Sequence, residues 1–194
     1  MTVLTRSFTA PDIDRREVLR YAKAKECEEL TALVDSVIRE AEGAFTYKVS
    51  FAELDISVGD SSVDLGAFSV ESRSLIKNLS GCTRAIVFGA TVGLGIDRLI
   101  AKHSRLSPSR ALVLNALGAE RIEALCDEFC KSVKEEYGTE LCPRFSPGYG
   151  DLPLDLQKEI FNLLDLPKRA GITLTDTMLM SPTKSVTAIV GIKK

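Results

Sequence analysis

The chain has one histidine, no cysteine pair with the two-residue spacing of zinc sites, and no apolar run near the roughly 20 residues of a spanning helix. Each shortage excludes something. A metal site wants more ligands than a lone His and five irregularly spaced Cys supply, and their spacing does not match the three-Cys cluster of iron–sulfur radical enzymes. An odd number of thiols reads as reduced cysteine, not as a disulfide framework. No apolar leader follows Met1, so the expected location is cytoplasmic. Charge of one sign is missing too. Lys and Arg total 25 against 27 Asp and Glu, net −2, with the bases scattered, which argues against nucleic acid or a membrane as the main partner. The glycines of Gly89-Ala90-Thr91-Val92-Gly93-Leu94-Gly95 lack the Lys-Ser/Thr of a nucleotide loop and the spacing of a dinucleotide fingerprint, which leaves a tight strand-to-helix turn. No Ser or Cys nucleophile motif accompanies His103, so it reads as a capping or surface residue. Repeats, low-complexity tracts and linkers are absent.

What is present is an ordinary globular composition, 45% hydrophobic and 27% charged over 194 residues, enough for a substantial core. Residues 1–11 read as a loose polar arm. Asp12 or Asp14 caps a short helix to Tyr21, and Leu30, Leu33, Val34, Val37, Ile38 and Ala41 mark a second helix from about Glu26. Phe45, Tyr47, Val49 and Phe51 alternate as a strand. The phase then moves to Leu54, Ile56 and Val58, predicting a bulge or break near Glu53. A helix over 70–79 stops at Gly81, and Arg84–Val92 is the most apolar strand and the central one. Ser107-Pro108 opens the longest helix, whose apolar stripe runs to Tyr137, ~45 Å at 1.5 Å per residue. On it, Cys126 and Cys130 read as small buried residues and Glu123 as a solvated edge charge. A helix over Asp155–Leu164 and a strand over Ser185–Ile192 close the chain. Strands and helices do not alternate regularly, so the expected class is α+β with a mainly antiparallel sheet flanked by helices.

Between the long helix and the next lies Arg144-Phe145-Ser146-Pro147-Gly148-Tyr149-Gly150-Asp151-Leu152-Pro153. Two Gly and two Pro in ten residues bar helix and central strand. A Pro-Gly pair sets a tight turn whose backbone groups point outward, open to a ligand. Taken alone, the stretch reads better as a surface turn with a packed Tyr.

Three ordered segments together resemble the activation (reactivation) domain of cobalamin-dependent methionine synthase. They are Arg144-x-x-Pro147-Gly148-Tyr149 with Pro153, the stretch from Ala85 through Gly93-Leu94 to Glu123-Ala124, and Gly171-Ile-Thr-Leu-Thr-Asp followed by Met180-x-Pro182-x-x-Ser185-Val186. The likeness is weak over 1–83 and strong over 84–194, read as one domain. It implies a C-shaped α+β fold with a twisted antiparallel sheet that binds S-adenosylmethionine and docks over a corrinoid. There, an electron from a flavodoxin-like or ferredoxin-like donor and a methyl from S-adenosylmethionine restore methylcobalamin. By position, the resemblance makes Arg144, Ser146, Pro147, Gly148, Tyr149 and Glu123 the ligand contacts. The ligand's carboxylate suits an Arg fork and its ammonium and sulfonium groups suit a Glu. The expectation is a free-standing subunit serving a separately encoded methionine synthase, cobalamin being carried by that partner. The alternative is a non-catalytic protein that docks on another corrinoid methyltransferase.

Overall fold

The computed structural model describes residues 1–25 and 27–193. Along the chain lie β1 (Val3–Phe8), α1 (Arg15–Tyr21), α2 (Glu28–Glu40), β2 (Tyr47–Asp55), β3 (Ser57–Val58), β4 (Val63–Asp64), β5 (Ser69–Val70) and α3 (Arg73–Asn78). Then come β6 (Arg84–Thr91), α4 (Gly95–Leu106), α5 (Pro108–Tyr137), α6 (Leu156–Leu164), α7 (Leu166–Arg169), β7 (Thr173–Leu174), β8 (Met180–Ser181) and β9 (Ser185–Ile192). The helix start expected at Glu26 lies outside the described residues. None of the described helices is long and apolar enough to cross a membrane.

β6 is the apolar run, and it sits inside a four-stranded antiparallel sheet of order β1-β2-β6-β9. Helices cover both faces. Val49, Phe51, Ile86, Phe88, Ala90, Ala188 and Val190 pack with α1, α2 and α5, whereas Ala52, Leu54, Ala85, Val87 and Ile189 pack with α3, α6 and α7. This two-sided burial corrects the bulge expected near Glu53. Pairing of β2 with β6 runs unbroken from Lys48↔Thr91 to Asp55↔Arg84. The apolar phase changes because a second helical layer begins to cover the opposite face, not because the strand slips.

The loose arm expected over 1–11 is corrected as well. Val3–Phe8 pairs antiparallel with β2, and Phe8 meets the edge of the Phe129 ring, centroids 6.3 Å apart. An outer strand with one side open needs few apolar residues, so its pattern is faint. Behind it, buried Arg121 donates to the carbonyls of Pro11 and Asp12 and pairs with Glu120, which accepts from the Asp14 N–H. Asp14 in turn caps α1. His103 is not at the surface. It is 8% exposed, with its Nε2 2.6 Å from the Glu40 carboxylate, where Arg110 also donates, and so it ties α2 to α4 and α5. The glycine-rich turn is a packing device: a Cβ on Gly95 would stand 2.0 Å from the Ala44 carbonyl oxygen.

Candidate functional site

The outer edge of β9 is half covered. The segment after α5 runs along it, with the Cys142 N–H donating to Gly191 and Phe145 exchanging both backbone bonds with Ile189. At Ser146 the chain turns away. The Tyr149 N–H donates to the Ser146 carbonyl at 3.2 Å, Pro147 takes the first central position, and Gly148 the second at φ +90°. A turn with positive φ at its second central residue calls for Gly there. The Leu152 N–H then bonds back to Tyr149, closing a second turn.

Asp151 fastens this double turn to α3. Its carboxylate accepts from the Ser72 hydroxyl at 2.6 Å, the Arg73 N–H at 2.8 Å and the Ser74 N–H at 3.1 Å. A negative charge suits those orphan donors. The Ser72 hydroxyl first, then the Ser74 N–H, hold the carboxyl well below the usual range. Asp151 is therefore an anchor. At the other end Arg144 reaches α5, donating from Nη1 to Asp127 at 2.6 Å and from Nη2 to Glu123 at 2.7 Å. Those carboxylates lie one helical turn apart on one face.

Loop, α5, α6 and β9 wall a cavity of about 450 Å³. Of the six residues the resemblance pointed to, Glu123, Arg144, Ser146, Pro147 and Tyr149 line it, while Gly148 makes the turn without lining it. Tyr149 is 67% exposed, so it is no packed ring of an ordinary surface turn. Met180, Gln157 and Thr187 line the cavity too and were not singled out as contacts in the sequence. Gln157 had left a signal: it shares a helical stripe with Ile160, Phe161 and Leu164, a polar residue on an apolar face.

A second, roomier cavity of about 570 Å³ is walled by Phe8, Ile38, Phe45 and Tyr47. Its buried charge, Arg121, is already engaged by Glu120 and two carbonyls, so size does not select the site. Among the described residues, no group of three or more His, Cys, Asp or Glu could hold a metal ion. Burial pushes the Cys126 thiol up, away from reactivity. Cys82 and Cys142 lie with sulfurs 3.5 Å apart, and burial pushes Cys82 up to about 11.

A helix-covered antiparallel sheet with a charged, partly apolar cleft at one edge defines an α+β domain. Residues 75–194 match the family described as vitamin B12 dependent methionine synthase, activation domain, and the chain belongs to it. The fold is similar to that of a crystal structure titled as the MetH reactivation domain bound to AdoHcy. The TM-score is 0.72 at 13% identity, covering 98% of this chain and 78% of that one. No curated protein matches the chain.

Proposed function

We propose that this chain binds S-adenosylmethionine in the β9-edge cavity and supports reductive remethylation of the corrinoid of a separately encoded B12-dependent methionine synthase. Residues 1–194 act as one unit, with 84–194 carrying the ligand site. The reading rests on one observation above the others: Arg144 and Glu123 stand paired in the lining of the same cleft. A zwitterionic amino-acid end exchanges that one internal pair for two external ones. Its carboxylate takes the guanidinium fork, and its ammonium takes Glu123.

Nucleoside groups then fall to the rest of the lining, to which Gln157 and Thr187 belong. Phe145, Pro147 and Met180 add apolar surface beside them. The partner's corrinoid supplies the redox and methyl-accepting chemistry, and a flavodoxin-like or ferredoxin-like donor supplies the electron. This chain contributes binding and orientation. Asp151 and the Pro147-Gly148 turn preset the loop, lowering the entropy lost when the ligand is gripped.

Calorimetric titration with S-adenosylmethionine and S-adenosylhomocysteine tests the reading. Saturable one-to-one binding is expected. Heat no different from buffer dilution would sink it in favour of a protein that docks on a corrinoid methyltransferase without using the ligand.

A further inference from the structure

Cys82 and Cys142 are 60 residues apart in the chain, yet their sulfurs lie 3.5 Å from each other. Both sit in connecting backbone, Cys82 in the turn between α3 and β6 and Cys142 in the segment after α5. Sulfurs this close require side chains that converge, which is the condition a disulfide sets on its partners. The bond is ~2 Å long, so the sulfurs have about 1.5 Å to close. Connecting backbone yields that more readily than a helix or a central strand.

The neighbouring strand makes the room. Gly191 of β9 pairs with Ala85 and accepts from the Cys142 N–H at 2.8 Å. A Cβ at Gly191 would stand 2.8 Å from Cys82 Sγ and 3.1 Å from Cys142 Sγ, so a side chain there would press on both sulfurs. What the pair would fasten is the base of the 144–153 loop. Asp151 ties the far end of that loop to the start of α3, through Ser72, Arg73 and Ser74. At the near end Asn78, the last residue of α3, donates to the Pro143 carbonyl at 3.2 Å. A neutral hydrogen bond of this kind is a modest hold. A covalent bond beside it is not.

We propose that Cys82 and Cys142 form a redox site, a dithiol that a hydroperoxide converts to a reversible disulfide locking the base of this loop to α3. This goes beyond the S-adenosylmethionine reading and does not depend on it. The thiolate of one cysteine attacks a peroxide oxygen, giving a sulfenic acid as hydroxide leaves. The second sulfur then displaces that group as water and the S–S bond forms. Two thiols are oxidised and one peroxide is reduced. Hydrogen peroxide is little larger than water and suits sulfurs on residues 6% and 8% exposed. Burial, and then the contact with Cys142, pushes the Cys82 thiol up to about 11, so the step is slow at neutral pH. Two inert core thiols are the rival explanation, and they predict no link.

The test uses the full chain carrying Cys27→Ser, which removes the exposed thiol. Reduced protein is treated with hydrogen peroxide under native conditions, quenched with catalase, alkylated while unfolding and digested with trypsin. Peptide 78–84 should be found joined to 135–144 and be released by dithiothreitol. One of five cysteines being replaced, the four remaining thiols should fall to two. Thermal unfolding should shift up by about 5–10 °C in the oxidised form. Amides of 141–149 should exchange with solvent more slowly there. Cys142→Ser should lose the link and both effects, and if that variant does not fold, the parent's peptides decide. The two peptides recovered unlinked, as thiols or sulfinic acids, or a link between other cysteines, overturn the inference. A link that leaves exchange unchanged overturns the lock.

Discussion

Arg144 joins two jobs that the sequence shows only one at a time. It is 25% exposed at the side chain and bridges Glu123 and Asp127, which are more exposed still, so the pairs add little to stability. Removing it does more to a ligand than to the fold. Arg144→Ala should cost on the order of 2–4 kcal/mol of S-adenosylmethionine affinity, partly by leaving the ligand carboxylate facing two unpaired carboxylates. Arg144→Lys should recover only part, because an ammonium cannot reproduce the planar fork. Calorimetry on both variants measures this, and unchanged affinity in Arg144→Ala would return the loop to an ordinary turn. Thiols give a second check. Cys27 is exposed, whereas Cys82, Cys126 and Cys142 are buried and burial pushes Cys130 up. A thiol reagent at neutral pH should therefore titrate Cys27 quickly, half-buried Cys130 more slowly, and the three buried thiols only on unfolding. The position of Arg144 was legible because Pro and Gly act locally. The Arg144–Glu123 pair and the burial of His103 were not, since each depends on a residue 21 or 63 positions away.

Among the elements, the 144–153 loop owes its shape to its neighbours as much as to its own turns. Asp151→Ala removes all three bonds to α3, so the loop should open. Its amides should exchange faster with solvent, and ligand affinity should drop by about tenfold, the worth of one charge-assisted hydrogen bond. Loop exchange rates equal to wild type would contradict the anchoring role. Glu40 gives a pH signature. Its bond from His103 first, then Arg110, lowers its carboxyl from 4.5 to about 2. The folded value lies below the unfolded one, so this contribution is fully present above about pH 4.5 and is lost as pH falls towards about 2. Urea unfolding across that window should show stability falling with acid in the wild type and falling less steeply in Glu40→Gln. Element existence was readable where the period was long, as in α5. The course of β2 was not, because alternation reports which faces are covered, and the second cover, α6, comes some hundred residues later in the chain. β1 was hidden for the opposite reason, having one partner and little to bury.

At the scale of the whole molecule, a sheet buried on both faces leaves backbone groups open only along its edge strands, β1 and β9, and the cavity forms at the β9 edge. Tyr149, Leu154 and Leu179 are exposed large apolar side chains, the first lining the cavity and the second directly following the 144–153 loop. The proposed function has this domain act in trans, on a corrinoid carried by a separate protein. The decisive measurement mixes this protein with a B12-dependent methionine synthase truncated of its activation domain, its corrinoid in the inactive divalent state. A reductant and S-adenosylmethionine are added, and the return of methylcobalamin absorbance is followed. The account predicts faster recovery with the protein, dependent on S-adenosylmethionine and weakened by Arg144→Ala; recovery at the same rate with and without the protein would contradict it.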